Sequence, residues 1–144
     1  MVSPVVVANN FIKRAMNESV SLSPMKLQKL IYFLYRDYLK STGNRLFTEP
    51  FQAWQYGPVV SSVYEEFRTF GGNDINRFGR NSMGDVFTVE EKGKFKESFD
   101  RVWNNYAMRS AWDLSMMTHR PGSAWSKAVE NHETYLEDDD IRSE

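Results

Sequence analysis

The sequence contains no cysteine and only two histidines, His119 and His132. The missing cysteines exclude disulfide bonds, thiolate metal sites and cysteine nucleophiles, and they fit a protein of the reducing cytoplasm, where we expect this chain to act. The two histidines belong to no metal-binding helix motif, and the chain has no phosphate-binding glycine loop and no GxSxG nucleophile motif. We therefore expect no metal, no cofactor and no enzymatic activity.

Long apolar runs and a strong net charge are missing as well. No apolar run approaches the roughly 20 residues that cross a bilayer, and the N-terminus lacks the basic region of a signal peptide. The formal net charge is −1, so the overall charge favours neither nucleic acid nor a membrane surface as a partner. We expect no membrane association.

Aromatic residues are abundant: the chain has 10 Phe, 7 Tyr and 4 Trp among 144 residues. This composition is typical of a folded protein, and the length suits a single domain with a sizeable core. We assign residues 1–132 to one helical domain. Residues 133–144 are acidic and nearly devoid of apolar side chains, so we interpret them as a flexible, solvated tail.

Helical periodicity predicts a mainly α fold, a compact bundle of about six helices around a central second helix, with at most a small β-hairpin. The first helix is expected over residues 4–18. The second should begin after Ser23, a good N-cap, and end near Gly43, a residue suited to a left-handed C-terminal position. Its broad apolar face suits a helix against which others pack, and it consists of Leu27, Leu30, Ile31, Leu34, Tyr35 and Tyr38.

The remaining helices are marked by caps and breakers. Pro58 is expected to open the third helix, and Thr88 with Glu91 forms a capping box that should open the fourth. Ser110 and Ser123 are expected to cap two short helices near the end. Residues 73–87 show little periodicity, and form either a hairpin or a mobile loop.

The second helix also carries a basic stripe, in which Phe33 shares a narrow arc with four cations, Lys26, Lys29, Arg36 and Lys40. Either another segment covers Phe33, or this face binds a partner through an apolar centre and a basic rim. Lys29 has a further alternative, which is to bond to an internal acid or a loop carbonyl. The expected partner-binding residues are Lys26, Lys29, Tyr32, Phe33, Arg36 and Lys40.

Two other functions are weaker interpretations of the same residues. The basic stripe together with Arg77 and Arg80 suggests phosphate contacts, but the slightly negative net charge favours a solvated basic face. Ser123 lies near His119 in sequence, yet without an orienting acid or oxyanion loop the pair is poor evidence for a hydrolase. His119 is more simply a residue at a helix C-terminus, where the dipole favours it.

Three blocks of sequence resemble one known family. Residues 23–33, SPMKLQKLIYF, resemble the MKLQKLLYF stretch of the Panacea domain family, which includes SocA-like and phage-associated GepA-like proteins. Residues 51–67, FQAWQYGPVVSSVYEEF, are similar to that family's F-x-A-W-x-x-G-P-V block, and residues 114–125 to its L-x-x-x-T-H-x-x-x-x-W ending. The motif residues are Met25, Leu27, Leu30, Ala53, Trp54, Tyr56, Gly57, Pro58, Val59, Thr118, His119 and Trp125.

The motif residues also have physical interpretations. Leu27 and Leu30 should be core, and Gly57 should provide a special backbone geometry. Trp54 and Trp125 should pack, with each indole N–H finding an acceptor.

The resemblance implies a mainly helical, non-catalytic domain found in bacterial and phage proteins. Members include antitoxins that neutralise toxins encoded beside them, and one member type delivers its toxin to an ATP-dependent protease. Direct neutralisation and proteolytic delivery both stay open for this chain. The alternative function is a phage or bacterial regulatory protein that binds nucleic acid or a host protein.

Overall fold

A computed structural model describes all 144 residues. It contains seven α-helices and one two-stranded sheet, which confirms the mainly α fold with a small hairpin. The helices are α1 (Pro4–Glu18), α2 (Pro24–Thr42), α3 (Ser61–Phe67), α4 (Gly93–Tyr106), α5 (Ala111–Thr118), α6 (Ala124–Glu130) and α7 (Asp138–Arg142), and a 3₁₀ turn at Arg68–Phe70 extends α3. None of the helices has both the length and the apolar character needed to span a membrane.

Helix α2 is the centre of the fold, as its wide apolar face predicts. It packs against α1, α3, α4, α5, α7 and the hairpin. Ser23 caps its N-terminus by accepting a hydrogen bond from the Lys26 backbone N–H. Gly43 ends it at φ +76°, where its N–H bonds to the Leu39 carbonyl.

The core is largely aromatic. Phe11 on α1 packs against Phe99 on α4, with ring centroids 4.8 Å apart. Phe51, just before the hairpin, lies edge-on to Tyr32 and Tyr35 of α2 at 5.1 Å from each. These rings join α1, α2, α4 and the hairpin segment in one cluster, so the molecule has a single core.

The hairpin consists of β1 (Gln52–Trp54) and β2 (Gly57–Val59), paired antiparallel with Trp54 opposite Gly57. Pro58 therefore lies in a strand, and α3 begins three residues later at Ser61, so the expectation that Pro58 opens the helix is wrong. Pro58 donates no backbone N–H, and it is tolerated here because β2 lies at the edge of a two-stranded sheet.

The caps of the later helices are partly as predicted. Ser110 and Ser123 cap α5 and α6 through their side chains. The Thr88–Glu91 capping box is wrong, because α4 begins at Gly93 after Lys92. Residues 88–91 have no regular secondary structure, and Val89 bonds to the side chain of Asn10.

The irregular segment between α3 and α4 is tied to α1 by two buried asparagines. Asn9 donates from Nδ2 to the carbonyls of Gly79 (3.0 Å) and Phe87 (2.8 Å), and its Oδ1 accepts the Gly79 N–H. Asn10 makes a matching pair of bonds with the Val89 backbone. Residues 73–87 thus form neither a hairpin nor a helix, and their irregular backbone is satisfied by side chains of another element.

Residues 133–144, interpreted from sequence as a solvated tail, pack on the domain instead. Leu136 and Ile141 are buried, and the Leu136 N–H bonds to the Phe51 carbonyl. Asp138 accepts a hydrogen bond from the Tyr35 hydroxyl at 2.7 Å and pairs with Arg45. The acidic run therefore folds because α2 and the following loop supply donors for its carboxylates.

Candidate protein-binding site

The β-hairpin is held from one side by α5 and α6, through the backbone carbonyls of its turn. The Trp125 indole N–H donates to the Trp54 carbonyl at 2.6 Å, and His119 Nε2 donates to the Gln55 carbonyl at 2.9 Å. The Ser115 hydroxyl donates to the carbonyl of Tyr56, which follows Gln55 in the turn. Three consecutive carbonyls are thus satisfied by side chains of the third sequence block, which gives His119 and Trp125 a structural role.

The opposite side of the hairpin is held by two consecutive polar residues of α2. The Gln28 amide bonds to Val60 in both directions, donating to its carbonyl at 3.1 Å and accepting its N–H at 2.9 Å. Lys29 Nζ donates to the Pro58 carbonyl at 2.9 Å. Of the alternatives for Lys29, a bond to an internal backbone carbonyl is found, although Pro58 lies in strand β2 and not in a loop.

Gly57 lies where these two supports meet. Its φ of +117° is a conformation that residues with a Cβ rarely adopt. A Cβ built there would lie 2.6 Å from Thr118 Oγ1 and 2.9 Å from Lys29 Cε. The three sequence blocks therefore converge on one construction, in which α2 and α5 both approach the hairpin backbone.

A groove, here called the hairpin groove, opens between the hairpin, α3 and the first turns of α2. Its volume is about 420 Å³. Apolar and aromatic side chains dominate its walls, and they include Met25, Trp54, Tyr56, Val59, Val63 and Tyr64. The ring of Trp54 lies 4.6 Å from that of Tyr64, while its indole N–H is satisfied by Gln52.

The hairpin groove is open to solvent although its walls are apolar. Tyr56 is 56% exposed and Tyr64 is 38% exposed. An exposed cluster of aromatic side chains with a concave shape is typical of an interaction site. Four of the groove's wall residues belong to the sequence motifs: Met25, Trp54, Tyr56 and Val59.

Lys29 contributes the only buried charge in the groove lining. Its side chain is 1% exposed, and burial lowers its pKa from 10.5 to about 7. No carboxylate lies within 4 Å of its ammonium group, in contrast to the surface ion pairs elsewhere in the molecule. The second cation of the lining, Arg68, is exposed at the rim and pairs with Glu65.

The two aromatic residues of the expected partner surface along the basic stripe of α2 are buried, so its apolar centre is not exposed. Phe33 is 1% exposed, and its ring stacks on that of Tyr106 of α4 with centroids 4.4 Å apart. The guanidinium carbon of Arg36 lies 4.8 Å from the centroid of the same Phe33 ring. Tyr32 is also 1% exposed, and its hydroxyl donates to the Glu144 carboxylate. Of the two alternatives for Phe33, the structure places another segment over it.

The cations of that stripe are mostly engaged. Lys26 is 7% exposed, and partial burial lowers its pKa while Asp74 opposes that effect. Arg36 pairs with Glu144 at 3.0 Å, and Lys40 donates to the carbonyl of the same residue. Lys40 alone is fully at the surface, so the six predicted partner-binding residues do not form a common exposed patch.

The residues considered for other functions are occupied as well. Arg77 pairs with Glu66, and Arg80 donates to the Gly84 carbonyl. The Ser123 hydroxyl donates to the Thr118 carbonyl rather than to His119.

Sequence reasoning missed Gln28 and Asn9 as organising residues. Both are polar side chains buried within otherwise apolar helix surfaces, at 4% and 1% exposure. The available sequence signal is a polar residue among apolar positions of a helix, because an amide buried there must find both a donor and an acceptor. The sequence does not say which backbone groups provide them.

A family model and a curated protein are both similar to this sequence. The sequence model of the family described as "Antitoxin SocA-like, Panacea domain" matches residues 27–126. "Antitoxin SocA" of Caulobacter vibrioides (strain NA1000 / CB15N) is 29% identical over 124 residues, which is 83% of this chain and 66% of that protein, just under two thirds of its length. No solved structure gave a significant match. The matched residues include the α2 contacts, the hairpin and the α5–α6 supports, and the chain belongs to the SocA-like Panacea domain family.

Proposed function

We propose that this chain is an antitoxin that acts in the cytoplasm by binding a cognate toxin protein, not by catalysis. The observation that carries the proposal is the family match over residues 27–126, together with the antitoxin name of a relative that aligns over 83% of the chain. An exposed apolar groove built largely from the matched blocks supports a protein partner.

The mechanism that we propose is occlusion. The toxin would bury its own apolar surface against the aromatic side chains of the hairpin groove, of which Tyr56 and Tyr64 are the most exposed. Large aromatic side chains at the centre of an interface supply most of its binding energy. Delivery to an ATP-dependent protease is compatible with the same contact, because an adaptor must also bind its toxin.

Nucleic-acid binding is less well supported than protein binding. Apart from Lys26, the cations that suggested phosphate contacts are engaged by Glu144, Glu66 and backbone carbonyls, so a phosphate backbone would have to compete with these partners. The net charge of −1 adds no long-range attraction. Binding to generic duplex DNA is therefore expected to be weak even at low salt.

The experiment is to express the product of the adjacent gene alone and together with this chain. We expect the neighbour to arrest growth alone, and co-expression to restore growth and yield a co-purifying complex. A harmless neighbour, or the absence of any complex in cells that lack their ATP-dependent proteases, would contradict the proposal.

Occlusion and delivery are separated by toxin lifetime. The toxin half-life is measured with and without this chain, in cells that have or lack their ATP-dependent proteases. Occlusion predicts rescue with an unchanged half-life, whereas delivery predicts a shorter half-life and loss of rescue in the protease-deficient cells.

A further inference from the structure

We infer that the hairpin groove binds an apolar segment of the toxin that carries a carboxylate, and that Lys29 donates a hydrogen bond to that carboxylate. The inference rests on the proposed function, because it names the part of the toxin that the antitoxin would recognise.

The hydrogen bonding of the Lys29 ammonium group is incomplete. It has three N–H donors, and the Pro58 carbonyl accepts one of them at 2.9 Å. The side chain is almost fully buried and forms part of the groove lining. The other two donors have no hydrogen-bond partner within the chain.

The Lys29 amine has no counter-ion within the chain, and this has an energetic cost. A buried cation without a counter-ion is unfavourable, and the lowered pKa of Lys29 reports that cost. A carboxylate that arrives with a partner would replace lost hydration with a short, charge-assisted bond. The site is thus complementary to an anion that the chain itself does not supply.

The rest of the groove lining is mainly apolar. Lys29 and Arg68 are its only charged residues, and no aspartate or glutamate is among them. The walls are mainly apolar, so a free inorganic anion would leave them uncovered. A peptide segment with an aliphatic or aromatic side chain next to a carboxylate satisfies both features, and a volume of about 420 Å³ is within the range of pockets that take such groups.

The test measures toxin affinity by isothermal titration for Tyr64→Glu, with Phe87→Glu as the matched control. Phe87 is an aromatic residue of 55% exposure that does not line the groove. Tyr64→Glu removes a wall ring and adds a negative charge, so we expect affinity to fall by at least about 30-fold. Phe87→Glu should bind within about twofold of the original chain. Equal binding by the Tyr64→Glu chain would overturn the inference.

The role of Lys29 is tested by a double-mutant cycle. Each exposed Asp or Glu of the toxin is changed in turn to Asn or Gln, and each change is combined with Lys29→Met, with circular dichroism confirming the fold. We expect one carboxylate for which Lys29→Met costs about 10-fold with the original toxin and less than about twofold with the amide variant. Additive effects at every carboxylate would overturn the assignment of Lys29.

Failure of this inference differs from failure of the proposed function. If Tyr64→Glu still rescues growth and binds fully, the antitoxin role stands and the groove is wrong. If the neighbour is no toxin, the groove is probed by NMR with N-acetyl-phenylalanine and its amide. A shift of the Trp54 indole signal by the carboxylate alone would support the groove chemistry, and equal or absent shifts would refute it.

Discussion

Gly57 joins the two supports of the hairpin because its missing side chain lets α2 and α5 approach the same backbone. Replacing it with alanine strains the backbone at φ +117° and places the Cβ 2.6 Å from Thr118 Oγ1. We expect Gly57→Ala to lower the free energy of unfolding by about 3 kcal/mol. Urea denaturation measures this, with Gly72→Ala as the control because a Cβ at that position meets nothing within 4 Å. Similar losses for both variants would contradict the steric argument.

Lys29 should make stability depend on pH between about 7 and 10. Its folded-state pKa of about 7 is below the ordinary value of 10.5, so in this range the unfolded chain binds more protons than the folded chain. The free energy of unfolding should therefore rise with pH, at up to about 1.4 kcal/mol per unit from this group.

The Lys29→Met variant isolates that contribution, because the tyrosines and the other lysines are common to both proteins. The difference in unfolding free energy, original minus variant, should increase in favour of the original chain as pH rises from 7 to 9.5. Denaturant titrations at intervals of half a pH unit give this difference. A difference that stays constant across the range would show that Lys29 remains protonated throughout.

At the scale of elements, the segment between α3 and α4 depends on α1 for its position. Asn9 makes three hydrogen bonds to the backbone of this segment, and it is buried. Asn9→Ala leaves the Gly79 N–H and two carbonyls without their partner, and should cost about 2–4 kcal/mol. Hydrogen exchange at Gly79 should increase strongly. Asn17→Ala, on the exposed part of the same helix, should change neither quantity.

The elements themselves differ in how far sequence predicts them. The bounds of α1, the centre and end of α2 and the caps at Ser110 and Ser123 follow from local patterns, because the bonds that create them lie within a few residues. The start of α4 does not: the Val89 backbone is hydrogen-bonded to Asn10, 79 residues away, and the local capping box does not form. Long-range bonds of this kind leave no local pattern.

The acidic segment around α7 also depends on long-range bonds, so the sequence wrongly predicts a solvated tail there. Its two buried apolar residues, Leu136 and Ile141, are five apart among carboxylates, which resembles a solvated run. What folds it is a set of donors from α2 and the loop after it, namely Tyr35, Arg36 and Arg45. Burial and, after it, hydrogen bonding to Asp138 raise the pKa of Tyr35, so its hydroxyl remains a donor to this carboxylate into the alkaline range.

At the scale of the whole molecule, the candidate site lies on a different face of α2 from the one that the sequence predicts. The sequence predicts a partner surface centred on Phe33 and Tyr32, and the structure covers these two rings with Tyr106 and the C-terminal segment. The matched blocks were identified correctly, but periodicity cannot say which side of a central helix is left uncovered. That depends on where the hairpin and the last helices pack.

This displacement leads to a prediction that separates stability from binding. Phe33→Ala removes a buried ring and should lower the free energy of unfolding by about 3–5 kcal/mol, while the fraction that stays folded keeps its affinity for the toxin. Tyr64→Ala removes a partly exposed ring from the hairpin groove, so it should leave the melting temperature nearly unchanged and weaken binding at least about 10-fold. Thermal melts and titrations at a temperature well below both transitions give the two quantities independently. If the folded Phe33→Ala chain lost affinity while Tyr64→Ala retained it, the binding site would lie on the α2 stripe, and the C-terminal segment would have to move away before the toxin could bind.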